Sequence, residues 1–284
     1  MKDIQKHIDK VMNEQNSQSI PEFEGYSPFE MHHLLQFTFE SNSPISFQKL
    51  SDSDYREIPM LSQIKFFLNL IKESGELKLT AKGFLPTKVV KEIYNQGFLE
   101  ESQFKSGISQ LYKESNSITV NLTRLLAEQS GLTKKRNGKL SLTKNGEKLS
   151  SDNFKLLDLI FKTMTTKFNW AYYDLYCEDQ IGQLGYGFSL ILLSKYGKEK
   201  RLDSFYAEKY FKAFPQLLEL VEPSYGTLET YSANCYSIRT FERFLDYFGL
   251  IDIEIQGKLP DRNIFITKTR LLDKLIKVRP HNKS

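Results

Sequence analysis

The sequence predicts a mainly α-helical protein with small β-hairpins, an α+β class built from several small units. A chain of 284 residues, 40% hydrophobic and 26% charged, is long enough for two or three such units. Several segments place apolar residues at helical spacing, and shorter segments alternate apolar and polar residues at the period of a half-buried strand. Together these two patterns favour a protein of helices and small sheets over an all-helical or an all-strand protein.

The first elements follow from capping residues and apolar stripes. Residues 1–20 are polar, which predicts a loosely held helix followed by a flexible segment. Ser27, Pro28 and Glu30 predict an N-terminal capping box with proline at the first helical position. Pro59 opens a second helix that ends near Gly75. Its apolar stripe consists of Leu61, Ile64, Phe67, Leu68 and Ile71.

A short pattern occurs three times, at residues 77–83, 140–146 and 264–270. Each copy alternates apolar residues and then reaches a threonine, which predicts a half-buried strand that leads into a threonine-capped helix. In the second copy a helix over 121–131 precedes strands at 132–136 and 139–142, joined at Asn137 and Gly138. In the third copy a helix over 237–248 precedes strands at 250–255 and 263–267.

A helix that ends in glycine, followed by a basic hairpin whose return strand ends in threonine, resembles the last helix and wing of winged-helix domains. The resemblance implies tandem winged-helix-like units joined by helical segments. We therefore predict a flexible segment at 1–20, a helical unit with a partial winged-helix match at 21–100, and a winged-helix-like unit at 101–152. Residues 153–284 are predicted to be a helical segment that ends in a second such unit.

Four stretches, at residues 26–35, 77–86, 168–173 and 205–208, resemble an uncharacterised family of bacterial cytosolic proteins. Some members of that family carry an added SEC-C metal-binding tail, for which this sequence has no counterpart. The resemblance implies a cytoplasmic location and contributes no catalytic residues.

The sequence contains no pattern typical of a catalytic, metal or membrane site. Its apolar runs are shorter than a bilayer crossing requires. Cys177 and Cys235 lack metal-ligand spacing, and adjacent His32 and His33 point in different directions on a helix. The acidic residues lack a partner motif. We therefore expect no enzyme activity, no cofactor and no membrane association.

Positive charge is concentrated in two segments although the formal net charge is only +4. Residues 131–148 hold six Lys or Arg and one acid, and residues 257–284 hold eight and two. Local potential attracts a polyanion more than net charge does, so we expect the hairpins to contact nucleic-acid phosphates, with DNA favoured over RNA. The predicted contacts are Lys134, Lys135, Arg136, Lys139, Lys258, Arg262, Lys268 and Arg270.

Base reading would fall to the helix before each hairpin. Arg124, with Asn121, Thr123 and Gln129, is the candidate in one helix, and Arg239 and Arg243 are candidates in the other. Glu242 and Asp246 lie three residues after these two arginines, which predicts pairing within the helix on a solvent face and weakens phosphate binding there. The alternative is a module that binds a protein partner. The pattern leaves the oligomeric state open.

Overall fold

The computed structural model describes residues 2–105, 107, 110–176, 178–219, 221–257 and 262–281. It is mainly helical with small antiparallel sheets, which confirms the predicted fold class. The chain divides into two compact units. The first unit comprises residues 1–48, 174–246 and 250–284, and the second comprises residues 49–173 and 247–249. Among the described residues, no helix combines the length and the apolar character that a membrane crossing requires.

The second unit is continuous apart from three residues, and its elements follow one another along the chain. They are α3 (Asp52–Arg56), α4 (Pro59–Ser74), β2 (Leu77–Lys78), α5 (Thr87–Tyr94), α6 (Ser102–Lys105), α7 (Ile118–Gln129), β3 (Thr133–Arg136), β4 (Lys139–Leu142), α8 (Lys144–Leu149) and α9 (Asn153–Thr166). The three strands form an antiparallel sheet in the order β2-β4-β3. Helix α7 packs against α4, α5 and α9 and forms the centre of this unit.

The first unit combines an N-terminal segment, residues 1–48, with two later segments, residues 174–246 and 250–284. Its elements are α1 (Lys2–Ser17), α2 (Pro28–Gln36), β1 (Ile45–Phe47), α10 (Tyr186–Tyr196), β5 (Arg201–Leu202), α11 (Asp203–Ala213), α12 (Leu228–Ser237), β6 (Ile251–Gln256), β7 (Asn263–Lys268), α13 (Arg270–Leu275) and β8 (Ile276–Val278). Helix α12 continues directly into a π-helical segment, Ile238–Leu245. One sheet has the order β5-β7-β6, and β1 pairs with β8.

Local signals in the sequence fix several element boundaries. Ser27 and Glu30 form the predicted capping box at the start of α2, and the apolar stripe of α4 is at most 1% exposed. Asn137 and Gly138 both have positive φ, 49° and 70°, as a two-residue turn of mirror-image type requires. The hairpin predicted around them is therefore confirmed.

The three copies of the repeated pattern have different structures. Copies one and two pair with each other, because Leu77 faces Leu140 and Lys78 faces Lys139 in the sheet of the second unit. This pairing joins segments that were predicted to lie in separate units, 21–100 and 101–152. The first copy therefore contributes strand β2 to the sheet that contains the hairpin of the second copy, and it does not form a hairpin of its own.

The predicted threonine cap occurs only in the second copy. Thr143 accepts a hydrogen bond from the Gly146 amide and begins α8. Thr80 instead accepts from the Phe84 amide at 3.1 Å, within a turn that precedes α5 by several residues. Thr267 lies inside β7, and Thr269 occupies the N-cap of α13. The prediction of a cap was wrong for these two copies, because Thr80 lies in a turn that is separated from α5 and Thr267 still belongs to β7.

Candidate nucleic-acid interface

Four basic side chains lie on one exposed face of the β2-β4-β3 sheet. Lys78 pairs with Lys139, and Lys139 pairs with Arg136, so the three residues form one row across the strands. Directly paired residues project to the same face of a sheet, and residues two apart on a strand share that face. Lys134 therefore lies beside Arg136, and all four side chains are exposed. We call Lys78, Lys134, Arg136 and Lys139 the basic sheet face.

The opposite face of the sheet belongs to the core. Leu77 and Leu140 are paired on that face, and Leu140 is fully buried. Lys135 lies on this face as well, because it pairs with Leu140, and its side chain extends over the turn at Gly83. A Cβ atom added at Gly83 would lie 2.2 Å from Lys135 Nζ. From the sequence, Lys135 is predicted to contact phosphates together with Lys134 and Arg136. In the sheet it projects to the opposite face from these two residues, because side chains alternate along a strand.

Charge on the basic sheet face is poorly compensated. Like charges directly opposite one another on neighbouring strands destabilise a sheet, yet Lys78, Lys139 and Arg136 are placed in this way. Lys139 forms an ion pair with Glu76, and both side chains are about half exposed. Within the part of the chain that the structure describes, no carboxylate forms an ion pair with Lys78, Lys134 or Arg136. A row of this kind attracts a polyanion.

Backbone hydrogen bonds hold this face rigid at the hairpin tip. The Leu79 amide donates to the Gly138 carbonyl at 2.8 Å, so β2 remains attached as far as the turn. At the other end of the hairpin, the Thr143 amide donates to the Leu132 carbonyl at 3.0 Å. The four cations are therefore carried on a fixed strand framework and not on a free loop.

Helix α7, which precedes the hairpin, is almost completely buried. Arg124 is 6% exposed, and its Nε donates to Glu114 Oε1 at 2.6 Å while Nη1 donates to Glu128 at 2.6 Å. Asn121 and Thr123 are also buried, and Thr123 accepts a hydrogen bond from Gln63. Gln129 is exposed at the end of the helix. This location does not support the predicted base-reading role of Arg124, Asn121 and Thr123.

The buried carboxylate of Glu114 organises this interior. It is inaccessible to solvent and accepts hydrogen bonds from the Leu85 amide, from Asn121 Nδ2 and from Arg124 Nε. Tyr173 donates its hydroxyl proton to Asn121 Oδ1 at 2.6 Å, and burial raises the pKa of this tyrosine above its ordinary value. Burial alone would lower the pKa of Arg124, but Glu114 and Glu128 raise it. Sequence reasoning missed Glu114 because no local pattern marks it.

The hairpin of the first unit has a different charge character. Arg262 donates to Glu242 at 2.7 Å, and Lys268 donates to Asp273 at 2.7 Å and to the Ser194 carbonyl at 2.9 Å. Arg270 is exposed at the start of α13. Lys258, also predicted as a contact, lies outside the described residues. Arg262 and Lys268 are therefore already paired with carboxylates, and Arg270 lies beyond the hairpin, in α13.

Acids occupy the exposed face of the same hairpin. Asp252 and Glu254 on β6 are both exposed, and Glu254 forms an ion pair with Lys200 at 2.9 Å. Glu254 shares its row with Phe265 and Leu202, which places a carboxylate where the second unit has a cation. The two hairpins have similar topology, but β6 exposes carboxylates where β3 exposes cations.

Arg239 and Arg243 do not lie on a solvent face, which corrects the prediction of pairing with Glu242 and Asp246. Arg239 is fully buried, and its Nε and Nη2 donate to the two oxygens of Asp174 at 2.9 and 2.8 Å. Arg243 lies 3.6 Å from the same carboxylate. The residue that binds both arginines is 65 positions away from Arg239 in the chain, so helical spacing could not reveal it.

Part of the second unit is similar to a known protein family. Residues 56–155 match the family described as the Y4jL N-terminal domain. This range lies within the second unit and contains all three strands of its sheet. No curated protein and no solved structure matches the chain. For the part of the chain that carries the basic sheet face, the match supports the resemblance to an uncharacterised family.

Proposed function

We propose that this protein is a non-enzymatic, cytoplasmic DNA-binding protein that contacts duplex phosphates through the basic sheet face of its second unit. The observation that carries the proposal is the row of Lys78, Lys139 and Arg136, extended by Lys134 on the same exposed face. Each phosphate neutralised by such a side chain releases condensed counterions, which makes binding favourable and dependent on salt.

The order of elements supports a winged-helix interpretation of both units. In the second unit α4, β2, α5, α7, β3 and β4 occur in this order, with the short α6 between α5 and α7, and the first strand pairs with the last. In the first unit α10, β5, α11, α12, β6 and β7 repeat this order and this pairing. We therefore interpret the two hairpins as wings of tandem winged-helix-like domains.

Because α7 is buried, we infer that the protein contacts the DNA phosphate backbone rather than the base edges. Helix-turn-helix proteins read sequence with a helix whose side chains reach base edges in the major groove. Here Asn121, Thr123 and Arg124 are buried and bonded to protein groups, and only the end of the helix reaches solvent. Phosphate contacts position a protein on a duplex without carrying sequence information directly.

The test compares two triple variants of the full chain by fluorescence anisotropy with a short DNA duplex of random sequence. Lys78, Lys134 and Arg136 are changed to Ala in one variant, and Lys139 is kept because Glu76 pairs with it. The matched control changes Lys72, Lys88 and Lys91, three exposed lysines on the helices of the same unit, so both variants lose three charges.

We expect the sheet variant to bind more weakly and its salt slope to fall by about 2 to 3, since each lost phosphate contact contributes about 0.9. The control should retain the affinity of the parent protein to within a few-fold. Equal losses in both variants would mean that net charge, and not the sheet face, causes binding. Unchanged affinity of the sheet variant would reject the proposal. A parallel titration with an RNA duplex of the same sequence tests the preference for DNA.

A protein partner is the second candidate, and the acidic face of the first unit favours it. Exposed Asp252 and Glu254 would repel phosphates but suit a basic protein surface. Capture of the same partner from nuclease-treated native lysate, lost on changing Asp252 and Glu254 to Lys, would support this role. Capture that disappears after nuclease treatment would count against it.

A further inference from the structure

A cavity of about 470 Å³ opens in the first unit and is formed entirely by residues of that unit. It lies beside the start of α11, one face of α12 and its π-helical continuation, and the first residues of β7. Its polar and aromatic lining includes Tyr176, Asp203, Tyr225, Asn234, Glu242 and Arg262. This volume is within the range of sites that hold small organic ligands.

Asp203 supplies a carboxylate without a cation of its own. Oδ2 accepts from the Ser237 hydroxyl at 2.5 Å, and Oδ1 accepts from the Ser204 amide at 2.7 Å. Burial raises its pKa above the ordinary value, although these two hydrogen bonds and the charge of Arg262 act in the opposite direction. Arg262 is itself ion-paired with Glu242. Within the described residues, no cation forms an ion pair with Asp203.

One wall of the cavity is aromatic. The hydroxyl groups of Tyr176 and Tyr225 form a hydrogen bond, with their oxygens 2.8 Å apart, so the two side chains make one continuous wall. The ring of Tyr231 packs against both, with centroid separations of 4.8 Å to Tyr176 and 5.0 Å to Tyr225. Aromatic faces attract both planar rings and cations. Tyr225 is 49% exposed at this wall and has surface left for a ligand.

The backbone of the adjacent helix is an independent indication of function. Residues Ile238–Leu245 form a π-helix, and the Asp246 amide donates to the Phe241 carbonyl, five residues earlier, at 3.0 Å. Segments of this kind are rare and occur frequently at functional sites. Two residues of this segment, Ile238 and Glu242, line the cavity.

We propose that this cavity binds a small organic cation with a planar body, whose N–H groups donate to Asp203 while its ring packs against Tyr176 and Tyr225. An amidinium or a ring-bearing primary amine has the required charge, donors and shape. A cation is favoured over an anion of the same shape because the cavity lining contains two carboxylates, Asp203 and Glu242, and one guanidinium, Arg262, which is already paired with Glu242. The inference concerns the first unit and does not depend on DNA binding by the second.

Benzamidine and benzoate provide a matched pair of probes, since they share a ring and differ in the sign of their charge. Saturation-transfer NMR with the full chain should show contact with benzamidine and none with benzoate. Asp203→Asn should weaken benzamidine binding at least about tenfold, the loss expected for a charge-assisted hydrogen bond. Glu229→Gln is the control because Glu229 is exposed on α12 and does not line the cavity.

A second variant keeps the proposal testable if Asp203→Asn disturbs the start of α11. Ala233→Phe retains every charge and fills part of the cavity, so it should also abolish benzamidine contact. Thermal melting by circular dichroism identifies variants that have unfolded. Benzamidine binding that survives both changes in folded protein, or benzoate binding equal to that of benzamidine, would overturn the inference.

Discussion

At the scale of single residues, two arginines that were predicted to face nucleic acid are structural. Arg124 is held by Glu114 in the second unit, and Arg239 is held by Asp174 in the first. Both carboxylates are almost inaccessible to solvent. Removing one partner of such a pair leaves an uncompensated buried charge, which costs much more than the loss of an exposed ion pair.

Arg239→Ala should therefore lower the free energy of unfolding by about 3–5 kcal/mol, the range for breaking a buried pair. Arg56→Ala removes an exposed arginine and should change it by less than about 0.5 kcal/mol. Urea denaturation followed by circular dichroism measures both. A loss below about 1 kcal/mol for Arg239→Ala would show that Asp174 is readily solvated after the change.

The pKa of Asp246 predicts a pH-dependent effect. Partial desolvation of the carboxyl group raises this pKa to about 6, with further contributions from Glu242 and Asp252, whereas the ordinary value is 3.8. Between these two values the folded protein binds more protons than the unfolded chain, so stability falls as pH rises through this window. The carboxylate therefore destabilises the fold above about pH 6 and not below about pH 4.

Asp246→Asn should raise the free energy of unfolding at pH 7.5 and have little effect at pH 4. Since Asp246 retains exposed surface, solvent screening limits the gain to less than about 1 kcal/mol. Urea denaturation at the two pH values measures the difference. An equal effect at both would rule out titration of Asp246 as the cause.

At the scale of elements, the glycine of the repeated pattern is required for a different structural reason in the first copy, at Gly83, and in the second copy, at Gly146. Gly83 has a φ of +79° in a turn, where residues other than glycine are strained. Gly146 lies within α8, where a Cβ atom would approach the Leu132 carbonyl oxygen to 2.0 Å. In the second copy, glycine therefore permits α8 to pack directly on the start of the hairpin.

Gly146→Ala should destabilise the protein by about 1–3 kcal/mol, the usual cost of overpacking, although alanine is the better helix former. Asn145→Ala, at the exposed neighbouring position of α8, is the matched control and should be close to neutral. Thermal unfolding by calorimetry compares the two. Stabilisation by Gly146→Ala would show that α8 can move away from the hairpin without cost.

At the scale of the whole molecule, a net charge of +4 does not show how differently charge is placed on the two hairpins. The second unit gathers Lys78, Lys134, Arg136 and Lys139 on one face, whereas the first exposes Asp252 and Glu254. In the proposed DNA binding, this distribution attracts the duplex to the basic sheet face of the second unit.

If phosphate contacts dominate, affinity should depend on salt and hardly on base sequence. We expect duplexes of unrelated sequence to bind with dissociation constants within about threefold of each other, because phosphate contacts carry no direct sequence information. Competition titrations at two salt concentrations measure this. A strong preference for one sequence, at about 1–3 kcal/mol for each changed base pair, would require a base-reading surface that α7 does not provide.

The amino-acid sequence was enough to predict the fold class, the apolar face of α4, the capping box of α2 and the Asn137-Gly138 hairpin. These features depend on residues that are neighbours in the chain, so periodicity and turn chemistry reveal them. It also located the basic segment that contains Lys134, Arg136 and Lys139. Local pattern was sufficient wherever the interacting groups were close in sequence.

Which cations share a surface depends on contacts between segments that are distant in the chain. Pairing of Leu77 with Leu140 brought Lys78 beside Lys139, and strand alternation turned Lys135 away. The partners that buried Arg239 and Arg124 were also beyond local pattern, since Asp174 is far away in the chain and Glu114 lies in a separate turn. Strand register and burial arise from contacts between distant segments, and a single sequence does not display those contacts.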